Sequence, residues 1–507
     1  MRRGYVLDVA YSAGFYPQTA PEHLGFAALV AGWRLGAGLP PRRVYELGFG
    51  QGFGLALLAA ANPQTQFEGC DFNADHVVQA RRFVADARLE NIDVAHEDFA
   101  AAARRGARDV DLVIAHGVLS WISPQARSEI AAFLERRLGD AGGCYISYNS
   151  QPAWAALQPV RDLMLLARRR VTGETRDQLG TALEWLAEMR RANAAYFVAN
   201  PFVARQVDRI LTADRAELAH EYFAEDACAM GFGEVAAFAE PSGLRYVASA
   251  ALMENFDSYM VPAALPPLLA RTGDPILRES LRDFAANRFF RQDLFARGAA
   301  PVSEAERVSA LSSWRFLLAS PRAGVSFEFQ TPFGAMQGRA ELYGPLADRL
   351  ALRPTAFQDL LTEPPFDALG ATSLIECLCI LVDSRQVFPV ADGPQRDAAP
   401  AKRFNRLVVD AARQGRIYSH LASPATGSGV AVDDFDLLAL AALFDGASTE
   451  PAALAQRGFE IVSALGRRPT RDGAEIEDEA EAVASLVEPM RRAAEEKLPV
   501  WRRLEIL

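Results

Sequence analysis

The chain has 507 residues, more than one hydrophobic core usually organises, so several cores and about three domains are expected. Half of its residues are hydrophobic and 23% are charged, which excludes a disordered chain or a fibrous repeat. The formal net charge of -11 disfavours a broad phosphate-neutralising surface, so nucleic acid is set aside as a partner.

The first ten residues, Met-Arg-Arg-Gly-Tyr-Val-Leu-Asp-Val-Ala, carry basic groups, but Asp8 interrupts the apolar stretch and no small-residue cleavage pattern follows. No run approaches the roughly 18 apolar residues of a spanning helix, so membrane insertion is not expected and the cytoplasm is the expected compartment. Between 41 and 151, short apolar runs alternate with stretches of helical period, the pattern of a parallel sheet covered by helices. Strands are predicted at 43–47, 66–70, 92–96, 111–115 and 143–147, and a helix at 75–87 carries Val77, Val78, Ala80, Phe83 and Val84 on its apolar side. The fold class is therefore α/β, a doubly wound Rossmann-like core.

Residues 152–219 turn helical and rich in Arg, which reads as a helical insertion, and 220–300 return to the core with a strand at 245–249. Residues 301–395 combine a hairpin strand at 327–331 with two or three short helices between 345 and 390 that end in the apolar run 386–390. That is a winged-helix-like arrangement, which the acidic balance assigns to protein contact rather than DNA. The remainder, 396–507, is predicted mainly α, with a turn-rich loop at 423–429 and an acidic amphipathic helix at 475–492. The five cysteines form no C-x-x-C pair, and Cys377 and Cys379 sit in an apolar run, so all five are expected as buried thiols and no metal site is predicted.

The informative stretch is Val44-Tyr45-Glu46-Leu47-Gly48-Phe49-Gly50-Gln51-Gly52, where the first strand turns into the first helix. Dinucleotide-type G-x-G-x-x-G spacing fails here, because counting from Gly48 ends on Phe53 and counting from Gly50 ends on Leu55. What remains, E-x-G-x-G-x-G, is the form shown by enzymes of S-adenosylmethionine (SAM). SAM has no pyrophosphate; its sulfonium, amino-acid tail and adenosine need a compact turn, supplied by Gly48, Phe49, Gly50 and Gly52, and acidic groups such as Glu46.

Asp71 ends the second strand, where an acid accepts both ribose hydroxyl protons, with Phe72 beside it. The other reading of Asp71 is a helix cap, although Asn73 and Asp75 suit that role better. Asp98 ends the third strand and either accepts from the adenine amino group, with Phe99 against the ring, or is a solvated turn acid. The fourth strand leads into His116-Gly117 and on to Trp121, where donor and acceptor should meet; His116 and Trp121 equally read as structural residues.

Together with the fifth-strand end Tyr145-Ile-Ser-Tyr-Asn-Ser150, these motifs resemble the class I SAM-dependent methyltransferases. The segments Phe15-Tyr-Pro-Gln-Thr-Ala-Pro21, Ser147-Tyr-Asn149, His220-Glu-Tyr-Phe223 and Leu421-Ala-Ser-Pro424 are similar to a bacterial subgroup whose core carries a methyltransferase regulatory domain and a C-terminal winged-helix-like domain. That subgroup includes lysine methyltransferases acting on outer-membrane proteins. Phe49 departs from the small residue or Cys of many members, and Ala224-Glu225-Asp226 replaces an expected Asn.

The resemblance implies SAM as cofactor and in-line methyl transfer, in which positioning supplies most of the catalysis. Tyr148, Asn149, His116 and Trp121 are expected around a deprotonated amine, with Tyr148 and Asn149 orienting it. Residues 1–40, through Tyr16, either close over the cofactor or form a linker. His220, Glu221 and Tyr222 either line the acceptor entrance or pack the insertion. A protein acceptor, such as a cell-envelope protein, fits a chain with more than half its length outside the core. The alternatives are a small-molecule N- or O-methyltransferase, with the extra domains pairing two copies as a homodimer or sealing a pocket, and a non-catalytic SAM sensor.

Overall fold

The computed structural model describes residues 13–471 and 474–507, so the reading of the first ten residues and the beginning of 1–40 lie outside it. Seven strands form one sheet: β1 Arg43–Leu47, β2 Gln66–Asp71, β3 Ile92–His96, β4 Val110–Ala115, β5 Leu138–Asn149, β6 Arg245–Ser249 and β7 Phe290–Ala296. Their order is β3-β2-β1-β4-β5-β7-β6. The first five are parallel, and β7 runs antiparallel between β5 and β6. The strand order reverses between β1 and β4, which opens a crevice at the carboxyl ends, where ligands of such sheets bind.

The predicted strands 43–47, 92–96 and 245–249 coincide with β1, β3 and β6, while β5 is longer than the predicted 143–147. The Gly139-Asp-Ala-Gly142 run reads as a turn but enters β5 through an irregularity in its pairing with β4 between Val110 and Leu112. β7 goes unread in the sequence because Arg291 and Asp293 break its apolar pattern; both are fully buried and paired with each other.

Helices α1 Pro21–Val30 and α2 Phe53–Ala61 are buried on nearly every side, which explains why α2, Phe-Gly-Leu-Ala-Leu-Leu-Ala-Ala-Ala, is apolar all round. One flank of α2 packs on the sheet. The other meets a C-terminal hairpin, His420–Ser423 with Ser428–Ala431, and the helix Ala399–Ala412. Phe53 stacks on Tyr418 with ring centroids 4.7 Å apart, and one buried apolar cluster runs from Phe15 through the sheet to Ile506. The insertion, five helices between Gln158 and Phe223, keeps a smaller cluster of its own around Met164, Leu183, Val207 and Phe223.

Between 301 and 395, Arg315–Leu318 pairs antiparallel with both Thr355–Ala356 and Val387–Val390, and Glu328–Thr331 forms a hairpin with Gly334–Gln337. The turn-rich 423–429 stretch holds the turn of the hairpin just described. Two local expectations are corrected. The acidic helix starts at Glu479, not at 475, because Asp478 caps it by accepting from Glu481 N at 2.8 Å. Cys228 is only half-buried, and Arg127 donates to its Sγ, whereas the other four thiols are buried. Among the described residues no helix is long and apolar enough to cross a membrane.

Candidate active site

The crevice at the carboxyl ends of β1, β2, β4 and β5 widens into a cavity of about 590 Å³, within the range of small-molecule sites. Glu46, Gly48, Phe49, Gly50 and Gly52 line it from the turn between β1 and α2. Gly48, Gly50 and Gly52 have φ of +72°, +60° and +75°. Two glycines are required for different reasons. A Cβ on Gly52 would stand 2.5 Å from Ala80 Cβ in α3 (Ala74–Asp86), so that glycine lets the two helices pack. A Cβ on Gly50 would meet nothing within 4 Å, so the cavity beside it is open and lets a ligand approach the backbone closely.

Asp71 and Phe72 line the cavity from the end of β2. Asn73, not Asp71, caps α3 by accepting from Asp75 N at 3.0 Å. Asp71 instead accepts from Gly50 N at 2.9 Å and from Asn73 N at 2.8 Å, tying the glycine turn to the second strand. A carboxylate has about four lone-pair positions, so ribose hydroxyls can still donate to it. Asp98 and Phe99 line the cavity, and Asp98 also caps the helix Phe99–Arg104 by accepting from Ala101 N at 2.9 Å.

His116, Gly117 and Trp121 form the wall beyond β4. His116 Nδ1 lies 2.9 Å from Tyr145 Oη and 3.1 Å from Ser147 Oγ, and burial pushes its pKa down to about 3, so the imidazole is neutral. Tyr16 lies over that ring with centroids 3.7 Å apart, which brings the N-terminal segment into the cavity wall. Asn149, His220 and Glu221 line the cavity as well, and Glu221 is pushed up to about 7 by burial and by Glu217.

Two expected residues stand apart. Tyr148 is fully buried and absent from the cavity wall because side chains alternate along β5: Asn149 lines the cavity, Ser147 supports it by accepting from Gly117 N, and Tyr148 points the other way. Its hydroxyl donates to Asp293 at 2.7 Å, inside a buried ion network. Tyr148→Phe is therefore expected to lower unfolding free energy by about 1–3 kcal/mol, the cost of an unsatisfied buried acceptor, and to leave methyl transfer nearly intact. Denaturant unfolding read beside activity checks this; lost activity at unchanged stability would return Tyr148 to the site. Tyr222 also lies outside the wall, stacked on Trp154 at 6.1 Å, where it supports a residue that does line the cavity.

Trp154, Phe289, Phe290, Gln292 and Arg385 line the cavity without a reading in the sequence, whereas Gln18 belongs to the N-terminal segment already singled out. The Phe289-Phe290 doublet was the only available signal, since the other positions are assembled from distant elements.

Glu46 sits among like charges. Burial, then the nearby Asp71 carboxylate, pushes its pKa up to about 8. A cation arriving beside it favours the ionised form and expels the proton, so affinity for a cationic ligand rises with pH until Glu46 is already ionised. SAM affinity is expected to improve by up to about tenfold per pH unit between pH 6 and 7.5, with proton release on binding. Titration calorimetry in buffers of different ionisation enthalpy reads both; a flat profile would mean that Glu46 does not meet the positive end of the ligand.

The "Methyltransferase domain" family matches residues 44–142, and the "Predicted methyltransferase regulatory domain" family matches 214–297. Over 506 residues the chain is 30% identical to the uncharacterized protein sll1526 of Synechocystis sp., covering 99% of each. It is 27% identical over 300 residues to the uncharacterized protein RP789 of Rickettsia prowazekii, covering 57% of this chain and 51% of that one. In structure it is similar to PKMT2 from Rickettsia typhi in complex with AdoHcy, with TM-score 0.72 and 17% identity over 97% of this chain and 99% of that one, a shared fold. The sheet order, the glycine turn and these matches define a methyltransferase that uses SAM. The chain belongs to the class I SAM-dependent methyltransferases that carry a methyltransferase regulatory domain, in one family with the Synechocystis protein.

Proposed function

We propose that the acceptor is a lysine side chain of a protein and that the enzyme transfers methyl groups to its deprotonated amine. The observation that carries this reading is an aromatic cluster in the cavity wall: the Trp154 ring lies 6.3 Å from Trp121 and 6.4 Å from Phe289, and Phe290 and Glu221 line the same cavity. Aromatic faces and a carboxylate attract an ammonium, while the same apolar wall disfavours its charge once it is inside. A lysine with a solution pKa near 10.4 must lose its proton before its lone pair is available, and a low-dielectric site next to a cation lowers that pKa. SAM, when bound, supplies the activated methyl group. The chain's own residues orient the amine through Asn149 and the aromatic rings, keep His116 neutral through burial, and exclude water under Tyr16.

In this reading Glu46, Gly48, Phe49, Gly50, Gly52, Asp71, Phe72, Asp98, Phe99, Gly117 and Tyr16 serve the cofactor, and Trp121, His220 and Glu221 the acceptor. Residues 152–219 form an insertion beside the acceptor wall, 301–395 a winged-helix-like contact module, and 396–507 a helical region against α2, in a cytoplasmic enzyme whose substrate is a protein such as one destined for the envelope. The likeness to PKMT2 supports a protein substrate.

The test is methyl transfer from labelled SAM to lysine-containing polypeptides, with Lys→Arg versions as controls. Label on lysine is the expected result. Glu221→Gln should raise KM for the polypeptide by about tenfold, the scale of one charge-assisted contact, with SAM affinity unchanged. Label only on small amines or hydroxyls would replace this reading with small-molecule methylation, and tight SAM binding with no label anywhere would leave a sensor.

A further inference from the structure

We infer that Arg385, from the C-terminal half of the chain, holds the carboxylate of the cofactor's amino-acid tail and so makes residues outside both matched domains part of the SAM site. The cavity carries five carboxyl groups, Glu46, Asp71, Glu97, Asp98 and Glu221, and Arg385 is the only Lys or Arg among the described residues that line it. SAM brings two positive groups and one negative one. The acids suit the sulfonium and the ammonium, and a single guanidinium is left to meet the single carboxylate, which its planar fork matches with two parallel N–H donors.

The local fold presents this side chain on purpose-built backbone. The helix Phe366–Asp383 ends in a Schellman motif: Arg385 N donates to Val382 O at 2.9 Å and Gln386 N to Leu381 O at 3.0 Å. The residue after such a helix end normally is glycine, because the left-handed conformation crowds a Cβ, yet an arginine occupies it at φ +60°. The helix end is fixed to the catalytic sheet by Asp383, which accepts from Leu252 N at 2.8 Å and Met253 N at 2.6 Å just beyond β6. Arg385 is exposed, and among the described residues no hydrogen bond or ion pair ties its guanidinium down, so a carboxylate would take the place of water on its donors. Arg385 shares the cavity wall with Phe15 and with Gly50, Gly52 and Gly54, and Phe15 Cα lies by Gly54 at the start of α2. Arg385 and the glycine turn thus line one cavity, in which the compact turn suits the amino-acid tail.

The measurement uses the full chain and two probes that differ in the carboxylate alone, SAM and decarboxylated SAM. In the native protein SAM should bind the more tightly. Arg385→Gly relieves the left-handed strain, so its melting temperature without ligand should equal or exceed the native value, while SAM affinity falls by about 10- to 100-fold, the scale of a charge-assisted contact. Affinity for decarboxylated SAM should stay within about twofold of native, because the contact it lacks is the one removed. Arg385→Lys should recover part of the SAM affinity, as a point charge without the fork. Equal losses for both probes would make Arg385 a structural residue, and unchanged SAM affinity would remove it from the site; either result overturns the inference.

Discussion

Arg291→Leu is expected to lower unfolding free energy by about 3–5 kcal/mol, because it strips one partner from a buried ion network and leaves the others charged. Arg291 is 1% exposed. Its Nε donates to Asp293 at 2.8 Å, Nη1 to Asp283 at 2.6 Å and Nη2 to Glu279 at 3.1 Å, and the guanidinium lies 4.4 Å above the Phe232 ring. Burial already holds Asp293 above the usual carboxylate range and pushes Asp283 up to about 6, so neither acid tolerates losing its counter-charge well. A loss of that size takes a third or more of the stability of an ordinary domain. Arg291→Lys should recover only part of it, since a point charge cannot reach three carboxylates in one plane. Arg278, at the half-exposed rim of the same network, is the contrast, and its replacement by Ala should cost about 0–1 kcal/mol. Urea unfolding of the three variants decides the matter, and an Arg291→Leu loss as small as that of Arg278→Ala would mean the network contributes little.

The second large effect concerns binding. Gly50→Val should abolish detectable SAM binding, a loss of more than about 100-fold, while the protein remains folded. The new side chain would project where no protein atom lies within 4 Å, into the volume the cofactor occupies, from a backbone at φ +60° that a β-branched residue adopts only with strain. Gly50 N donates to Asp71, so the same strain disturbs the carboxylate assigned to the ribose. Calorimetric titration beside a thermal melt separates the outcomes. Normal binding in a folded variant would show that the turn does not face the cofactor, and loss of folding would transfer the test to Gly50→Ala, which fills less space.

The network around Arg291 also connects the two halves of the catalytic domain. Tyr148 on β5 faces Arg291 on β7 across an antiparallel pair, and their neighbours Asn149 and Phe290 face each other on the cavity side. One pair of strands therefore supplies a buried polar anchor on one face and part of the cavity wall on the other. Alternation along a strand is also why Tyr148 and Asn149, adjacent in the sequence, part company in the structure.

The doubly wound core and the cofactor side of the site were legible in the sequence because their signals are local. A strand, a turn and a helix follow one another within a dozen residues, so Glu46, Gly48, Gly50, Gly52, Asp71 and Asp98 are placed by chain order alone, and all of them line the cavity. β7 was illegible for the opposite reason. Its Arg291 pairs with Asp293 on the same strand and with Glu279 and Asp283 from the helix Pro275–Ala286, a partnership that no alternation pattern records. The cavity wall draws Trp121, Trp154 and Phe289 from separate stretches, and Arg385 arrives from more than 300 residues beyond the glycine turn. Sequence by itself determined which strand ends line the cavity, since backbone geometry and short-range spacing fix them. Tertiary structure alone decided which face each side chain serves and which remote residues complete the cavity, because those depend on long-range burial and charge pairing that exist only once the chain has packed.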